Sequence, residues 1–479
     1  MAARAIAPWA AVLAVLAAGC AAGPDYAPAE IAAPEAWHGQ LEVGLTPRAA
    51  DPDRLAHWWE ALGDPVLPDL ISRAVAENLD LRQAQARVLE ARARRGVARS
   101  GWFPTLQADV SAGRSGAGVS TGGSVTRTLY AAGFDARWEL DLFGGVRRAD
   151  EAARAQEEAS IEDLHDVLVS LTAEVALNYV ELRAFESRLA IVQASVAAQR
   201  DTYDLARWRR DAGLATDLDV ERARSSLAQS QAQIPTLRTG RAQAANRLAV
   251  LLGRPPGAPD VAMSGAGPIP APPPEVAVGI PADALQRRPD VRRAERRLAA
   301  QTAQVGVAAS GRWPAPALTG SIGLEAANPA RLVTDAVRTF AVGAGIPWTL
   351  FDGGRLRQGV AVQDALREQA LVAYQAAVLA ALADVEDALA AYAGEQARRA
   401  ALAEAVGAAE RAADLAREQY AAGLADNLAV LDAQRSLLSL QDQMVVSEGG
   451  AVSALIRLYK ALGGGWSPLP PQGGSGMAG

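Results

Sequence analysis

A strict alternation of apolar and charged positions runs from Phe134 to Leu142. Aromatic and aliphatic side chains fill the even positions, and the odd positions hold Asp135, Arg137, Glu139 and Asp141. A period of two indicates a β-strand with one apolar face and one polar face. Residues 340–350 repeat the alternation, with Pro347 near the end of the run. Because proline lacks the backbone N–H, this position predicts a strand edge, a bulge or the end of the strand.

Two weaker, glycine-containing runs at residues 106–110 and 318–324 can pair with these strands. A glycine-rich stretch at residues 113–123 and a stretch with Asn328-Pro329 at residues 326–331 lie between the runs of each pair, where loops are expected. The pattern therefore predicts two β-hairpins, four strands in all.

Much longer helical signals follow each predicted hairpin. Residues 146–212 contain neither glycine nor proline, which allows one helix about 100 Å long. Residues 355–422 form a matching run without proline. Shorter helices are predicted at residues 69–100 and 282–310, before each hairpin.

Each long helix is expected to turn back on itself. Both runs end in Ala-Gly-Leu-Ala, a helix-stop signal, and Thr216 and Asp426 follow as N-caps of return helices. Pro235 predicts a kink in the first return helix. Each half thus contains an antiparallel helical hairpin that is longer than a globular domain needs.

The chain repeats itself at an offset of 210 residues. Ser100-Gly-Trp-Phe-Pro104 corresponds to Ser310-Gly-Arg-Trp-Pro314, and Ala212-Gly-Leu-Ala215 corresponds to Ala422-Gly-Leu-Ala425. Landmarks in the same order at one offset indicate an internal duplication. The predicted organisation is a signal peptide (1–19), an N-terminal extension (20–66), a first repeat (67–253), a proline-rich connector (254–279), a second repeat (280–465) and a disordered tail (466–479).

Composition favours a mainly α protein with a small β part and removes most catalytic chemistry. The chain is 50% hydrophobic but only 5% aromatic, and alanine, the strongest helix former, fills much of the difference. One cysteine and three scattered histidines exclude disulfides and thiolate zinc sites. A net charge of −7 without a basic run argues against nucleic-acid binding. We therefore expect a protein that is not an enzyme and that needs no cofactor or metal.

The N-terminus has the order of an export signal. Arg4 precedes an apolar run at residues 10–18 that is too short to span a membrane, and Cys20 follows Gly19. This order resembles a bacterial lipoprotein processing site, which predicts acylation of Cys20. Several acyl chains would anchor the protein firmly, since each buried CH₂ contributes about 0.8 kcal/mol. The alternative is an ordinary signal peptide with an incidental cysteine.

The charged face of the strands limits the possible architectures. Burying Arg137 or Glu139 unpaired is costly, so in lipid that face must line water and the sheet must close. Four strands cannot close around a lumen, because the smallest membrane barrels use about eight. Three copies would supply twelve strands and twelve helix lengths around one axis, which predicts a twelve-stranded trimeric membrane β-barrel. The alternative is a soluble coiled coil with a small β-tip.

Several stretches resemble the TolC-like outer membrane factors, in the lipidated NodT-type branch that serves RND multidrug efflux systems. Gly19-Cys-Ala-Ala-Gly-Pro-Asp-Tyr26 is similar to the start of the mature chain in that branch, and Trp58-Trp-Glu-Ala-Leu-Gly-Asp-Pro65 resembles its next signature. The most specific match, Tyr420-Ala-Ala-Gly-Leu-Ala-Asp-Asn-Leu-Ala-Val-Leu-Asp-Ala-Gln-Arg435, resembles the periplasmic tip of the family.

This resemblance implies a homotrimeric exit duct in the outer membrane of a Gram-negative bacterium, lipid-anchored and extending into the periplasm. Its partners would be outer membrane lipid, a periplasmic adaptor (membrane fusion protein) and an inner-membrane RND pump. The implied function is a passive exit for drugs or small molecules. A type I secretion duct and a trimeric coiled-coil lipoprotein scaffold without transport are the alternatives.

The resemblance also implies a gate at the periplasmic tip, closed at rest by polar links and acidic rings and opened when the adaptor docks. Carried over position by position, the gate residues are Asp219, Tyr420, Leu428, Asp432 and Arg435. The adaptor would contact the turns at Gly213, Leu214, Gly423 and Leu424. For the two aspartates the alternative is an exposed residue near a helix start, favoured by the helix dipole.

Overall fold

The structure is a computed structural model of the chain that describes residues 21–28, 33–39, 41, 44–49, 51–118, 124–257, 267–334 and 336–467. The predicted signal peptide and Cys20 lie outside the described residues, as does the tail from residue 468 onward. Within the described part, no helix is both long enough and apolar enough to span a membrane.

The chain forms two compact units, each assembled from three sequence segments. Unit 1 comprises Met1–Glu30, Ala86–Ile161 and Arg293–Gln375. Unit 2 comprises Ile31–Gln85, Glu162–Arg292 and Ala376–Gly479.

Most described residues are helical, as the sequence predicts. The α-helices are α1 (Pro52–Ala56), α2 (Leu67–Glu77), α3 (Leu79–Ser100), α4 (Gly145–Asp211), α5 (Asp217–Leu251), α6 (Pro281–Arg287), α7 (Pro289–Ser310), α8 (Arg331–Thr334), α9 (Arg355–Ala421) and α10 (Asn427–Ala461). A 3-10 helix covers Trp58–Leu62. The strands are β1 (Leu45–Thr46), β2 (Thr105–Gly118), β3 (Ser124–Glu139), β4 (Val276–Ala277), β5 (Ala317–Ala326) and β6 (Val337–Gly345).

The helices of the two halves match in length and order. Helices α3 and α7 have 22 residues each, α4 and α9 have 67 each, and α5 and α10 have 35 each. Every corresponding pair begins and ends at the offset of 210 residues that the sequence motifs indicate.

The two shorter helices of the sequence prediction are each broken in two. Asn78 adopts an extended backbone (φ −62°, ψ 133°) between α2 and α3. Arg288 is extended (φ −63°, ψ 122°) between α6 and α7, because the residue before Pro289 is pushed out of the helical region. The expectation of one continuous helix at 69–100 and at 282–310 is therefore wrong.

The four long strands form one antiparallel sheet in unit 1, in the order β2-β3-β5-β6. Strand β2 continues to Gly118 and pairs with the start of β3, so residues 113–118 are strand rather than the predicted loop. Pairing satisfies their backbone groups, which overrides the turn preference of glycine. Strand β6 ends at Gly345, two residues before Pro347, in agreement with the predicted strand end.

One face of this sheet is an exposed apolar surface. Phe134, Ile322 and Phe340 lie directly opposite one another across β3, β5 and β6. Their side chains are 54%, 64% and 84% exposed. The alternation in the sequence thus produces a sheet whose apolar face is uncovered within the chain.

Unit 2 brings the N-terminal extension, the connector and the chain's last described residues together. Strand β1 of the extension pairs in parallel with β4, and Trp58 stacks on Tyr459 with ring centroids 5.4 Å apart. Trp466 is buried and stacks on His165 at 4.3 Å. The prediction that disorder begins at residue 466 is therefore wrong for Trp466. Burial of its large aromatic side chain stabilises an ordered position there.

Candidate functional site at the ends of the helical hairpins

Both helical hairpins close with the same turn in unit 2. Gly213 and Gly423 adopt left-handed backbones, with φ of 74° and 75°. Leu214 N donates to Arg209 O at 2.7 Å, and Leu424 N donates to Gln419 O at 2.8 Å. Glycine is favoured there because side chains with a Cβ are strained at positive φ. The two leucines of the turns are 69% and 81% exposed, so they present apolar side chains at the end of each hairpin.

A capping box begins the return helix of the first hairpin. Asp219 N donates to Thr216 Oγ1 at 3.3 Å, and Thr216 N donates to Asp219 Oδ2 at 3.0 Å. The Thr216 hydroxyl also donates to Asp219 Oδ2 at 2.7 Å. This arrangement satisfies backbone groups that the first turn of a helix leaves without partners. It confirms Thr216 as an N-cap and gives the Asp219 side chain a local structural role.

The capping box also sets the charge of Asp219. The donated backbone N–H of Thr216, and next its hydroxyl, hold the pKa of the Asp219 carboxyl below its usual range. Hydrogen bonds to a carboxylate favour its ionised form. Asp219 is therefore an anion at neutral pH.

The second hairpin has a simpler cap. Asp426 Oδ1 accepts a hydrogen bond from Ala429 N at 2.9 Å, as an N-cap should. At the offset of 210 residues, Ala429 occupies the position of Asp219, and alanine cannot return the second hydrogen bond. The two hairpin ends are thus alike in backbone and different in side-chain chemistry.

Two side chains link the hairpins to each other. Arg209 Nη1 donates to Tyr420 O at 2.7 Å, and its guanidinium lies 4.8 Å from the centre of the Tyr420 ring. Asn427 Nδ2 donates to Asp219 O at 2.9 Å. Tyr420 is 4% exposed and Asn427 is 2% exposed, so each link has one buried partner within unit 2. A partly buried cation over an aromatic face is stabilised by about 1 kcal/mol.

The link region also holds polar atoms without partners. Arg209 Nε, the Tyr420 hydroxyl and Asn427 Oδ1 are buried and make no hydrogen bond. Burial is the main cause that raises the pKa of Tyr420; the charge of Arg209 opposes this increase, and the charge of Asp219 adds to it. A buried, incompletely satisfied polar group is costly, which makes this region less strongly fixed than an apolar core.

The predicted gate residues fall into two groups. Asp219 and Tyr420 both take part in the links between the hairpins. Asp219 O accepts from Asn427, and Tyr420 O accepts from Arg209. Leu428, Asp432 and Arg435 follow one another at helical spacing on an exposed face of α10. Within the described part of this chain, neither Asp432 nor Arg435 has a hydrogen-bond or ion-pair partner.

The sequence reasoning missed Arg209 and Asn427. Their counterparts at the 210-residue offset are Gln419 and Asp217, so neither position is preserved between the halves. That difference is a signal that could have drawn attention to them, because a residue found in one hairpin and not in the other can serve a contact that the repeat does not share. Across the described residues, no group of three or more His, Cys, Asp or Glu side chains is placed to hold a metal ion.

Comparison with known proteins agrees with this architecture. The family model described as outer membrane efflux protein matches residues 70–254 and 280–464, once in each half. The chain belongs to this family. It is 32% identical to nodulation protein T of Rhizobium leguminosarum bv. trifolii, over 96% of this chain and 97% of the relative. It is 34% identical to the pyoverdine export outer membrane protein OpmQ of Pseudomonas putida, over 92% of this chain and 94% of the relative.

A solved structure of the outer-membrane channel OprN is similar over 94% of this chain and 100% of that chain, with 34% identity and a TM-score of 0.88. The outer membrane efflux protein described here is therefore an efflux channel component of the cell outer membrane. The family and the mainly α fold with long helical hairpins and a small β part, both expected from the sequence, are confirmed. Closure of the strands into a trimeric barrel stays a prediction.

Proposed function

We propose that three copies of this outer membrane efflux protein form a passive exit duct for drugs or other small molecules. An inner-membrane RND pump would deliver these molecules through a periplasmic adaptor, and the duct itself would catalyse no reaction. The observation that carries the proposal is the open sheet of unit 1. Strands β2 and β6 are its outer strands, and among the described residues neither has a second strand neighbour.

The internal repeat indicates how the sheet closes. Strands β3 and β5 join the two hairpins within the chain. A second copy placed by the same relation would pair its β2 with the β6 of the first. Three copies give twelve strands, an even number suited to a membrane barrel, and remove every open edge from lipid.

Helix packing in unit 1 supports the same assembly. Helix α4 is flanked on two sides, because Glu157 binds Arg92 and Arg95 of α3 while Glu158 binds Arg296 of α7. Its counterpart α9 meets α7 through a hydrogen bond between Gln301 and Gln363 at 2.7 Å. The repeat relation places α3 of a neighbouring copy on the other side of α9.

Apolar side chains are exposed on both helices that would meet across this interface. They are Leu89 and Val97 on α3, and Val362, Leu366 and Val372 on α9, with exposures between 39% and 73%. Their burial against a second copy would contribute about 25 cal/mol per Å². These residues therefore fit a homotrimer better than an isolated chain.

We propose that the hairpin ends form the gate of the duct. Arg209 and Asn427 hold the hairpins of one copy together, while Asp432 would repeat three times around the axis. Three like charges a few ångströms apart repel, so a closed ring of this kind is easily opened. The exposed Leu214 and Leu424, with Gly213 and Gly423, supply an apolar surface where an adaptor would dock.

The test uses the full-length protein, purified from outer membranes in detergent. We expect a heat-resistant trimer on gels, ion conductance in planar bilayers, and restored drug resistance in a host that lacks its own outer membrane component. Restored protein secretion without drug resistance would instead assign a type I secretion duct. A detergent-independent, non-conducting trimer would assign a scaffold and overturn the proposal.

A further inference from the structure

The residues that directly follow Cys20 are seated in a groove of unit 1. Ala22 N donates to Phe143 O at 3.0 Å. Gly144 approaches Ala21 so closely that a Cβ on it would lie 3.0 Å from the Ala21 Cα. A Cβ on Gly306 would lie 2.9 Å from Ala22 O. Two glycines thus leave room for a second backbone to lie against α4 and α7.

A buried arginine fixes this segment in the groove. The Arg148 side chain is 5% exposed, and its Nη2 donates to Asp25 Oδ1 at 2.5 Å. Its Nε donates to Ala22 O at 3.3 Å, and Nη1 donates to Glu151 at 2.8 Å. Two of these three contacts go to the N-terminal segment. Without that segment, the guanidinium would lose partners that a buried cation requires.

A tyrosine completes the attachment one residue later. Tyr26 Oη donates to Glu295 at 2.9 Å, and the ring packs on Ala155, Ala299 and Ala300. Burial, and then the hydrogen bond to Glu295, raise the pKa of Tyr26. The segment is therefore held by a charged contact, an apolar contact and backbone hydrogen bonds within six residues.

We propose that Gly144, Arg148, Glu295 and Gly306, here called the N-terminal groove, are a binding site for the first residues of the mature chain. The groove would fix the point from which the lipid anchor enters the outer membrane. Cys20 is joined to Ala21, and consecutive Cα atoms are about 3.8 Å apart. An acyl group on Cys20 would therefore be attached one residue from Ala21, which contacts Gly144. Gly144 follows the end of β3 by five residues.

The partner of this arrangement is lipid of the periplasmic leaflet, a step that rests on the proposed membrane channel. Phe143, whose carbonyl receives Ala22, stacks on Trp313 with ring centroids 5.3 Å apart. Aromatic side chains of this kind suit the interface between hydrocarbon and water. The acyl chains and the sheet would then meet the bilayer at the same level. A freely flexible tether would need none of the contacts of the N-terminal groove.

The test is limited digestion of the full-length acylated protein with chymotrypsin, followed by mass spectrometry of the Tyr26–Ala27 bond. We expect this bond to be protected in the native protein and cut at least tenfold faster in Asp25→Asn and Gly306→Ala variants. Asp25 is 89% exposed at its side chain, so its amide variant should fold normally. Gly96→Ala is the matched control, because Gly96 is the repeat counterpart of Gly306 and a Cβ on it would meet no described atom of the same chain within 4 Å.

A Cys20→Ser variant, exported through an ordinary signal peptide, separates the groove from the lipid. Continued protection of the Tyr26–Ala27 bond is expected, because the groove binds protein and not acyl chains. Loss of protection would show that the lipid holds the segment and would overturn the proposal. Rapid cleavage in the native, conducting channel would also overturn it while leaving the channel function intact. Protection without conductance would remove the channel function alone.

Discussion

Arg209 connects the two hairpins of unit 2 through both its charge and its geometry. It contacts the Tyr420 ring and the Tyr420 carbonyl at the same time. Among the described residues, the side chain of its neighbour Arg210 forms ion pairs with Asp211 and Asp217 of its own hairpin. Two adjacent arginines at one helix end therefore have different roles, one between hairpins and one within a hairpin.

This difference predicts the effect of removing Arg209. Arg209→Ala deletes a charge-assisted hydrogen bond and a cation–π contact, together about 2–3 kcal/mol. If these contacts hold the tip closed, the open fraction rises by about tenfold for each 1.4 kcal/mol. Single-channel recording in planar bilayers should show a clear increase in conductance. Arg210→Ala is the matched control and should conduct like the native protein; equal conductance in both variants would remove Arg209 from the gate.

We expect the hairpin end to lose order in acid, because the cap at Thr216 depends on the charge of Asp219. Its pKa is lowered in the folded protein by the hydrogen bonds from Thr216. Because the pKa is lower in the folded protein, the ionised carboxylate stabilises the cap at every pH above the ordinary aspartate pKa. This stabilisation is lost as the pH falls through the folded pKa.

Hydrogen exchange of the amides at residues 216–220 measures this effect. Protection of these amides, after correction for intrinsic exchange, should fall between neutral and strongly acidic pH. In an Asp219→Asn variant, which has no group to titrate there, protection should be lower at neutral pH and nearly independent of pH. A native profile that stays flat would show that the cap does not depend on the charge of Asp219.

Local sequence patterns identify the helix caps but not the contact between the two hairpins. Thr216 and Asp426 could be assigned as caps because capping depends on residues within one helical turn. The contact between Arg209 and Tyr420 joins positions 211 residues apart, and no local pattern encodes it. Arg435 and Asp432 follow from family resemblance alone, and their role as gate residues remains a prediction.

At the scale of elements, the break at Asn78 creates a joint between three helices of unit 2. Asn78 Oδ1 accepts from Leu81 N at 3.0 Å and so caps α3. Its Nδ2 donates to Leu251 O at 3.0 Å, at the end of α5. In the second repeat, Arg288 Nη1 donates to Ala461 O at 3.1 Å at the corresponding place. The repeat thus preserves the joint but not the side chain that makes it.

This joint explains why the sequence predicted one helix where two exist. Asparagine is favoured as an N-cap, so Asn78 carried a local signal for the break that the sequence prediction overlooked, whereas its bond to Leu251 O could not be read from a local pattern. Pro289 offered a local signal for the second break, since the residue before proline avoids the helical region. The long helices α4 and α9 were predicted within one residue at each end, because their boundaries carry local glycine signals.

Asn78→Ala should loosen the joint. The variant loses an N-cap, about 1 kcal/mol, and leaves the partly buried Leu251 carbonyl without its side-chain partner, about another 1 kcal/mol. We expect a lower temperature of helix loss in circular dichroism of the detergent-solubilised protein. Asn246→Ala, which removes an exposed hydrogen bond to Gly257 N, should change it little. Equal effects in the two variants would contradict a special role for Asn78.

At the scale of the whole molecule, the sheet is the part that the chain leaves incomplete. Two period-two runs and two weaker, glycine-containing runs located the four strands, but the register between β3 and β5 depends on pairing that the sequence does not show. The structure supplies this register, and the repeat extends it. In the first hairpin, Gln107 lies opposite Asp135. In the second, Ala317 lies opposite Gly345, and each of these residues is 210 positions after its counterpart.

The same relation predicts the register between copies. Asp135 of β3 lies opposite Ser321 of β5 within the chain. The repeat counterpart of Asp135 is Gly345, and that of Ser321 is Ser111. Gly345 of one copy is therefore expected to lie opposite Ser111 of the next. Opposed residues of antiparallel strands have Cα atoms about 4.5–5.5 Å apart, within the range that a disulfide bridges.

A Ser111→Cys, Gly345→Cys double variant should therefore form disulfides between copies under mild oxidation. Denaturing gels without reductant should show a covalent trimer, because each copy offers one residue at each edge of its sheet. The control pairs Asp109→Cys with Gly345→Cys, which is displaced by two residues on the same face and should cross-link far less. Stronger cross-linking in the displaced pair would shift the register. If neither pair cross-links in the detergent-extracted protein, β2 and β6 do not meet and the proposed closure of the sheet is wrong.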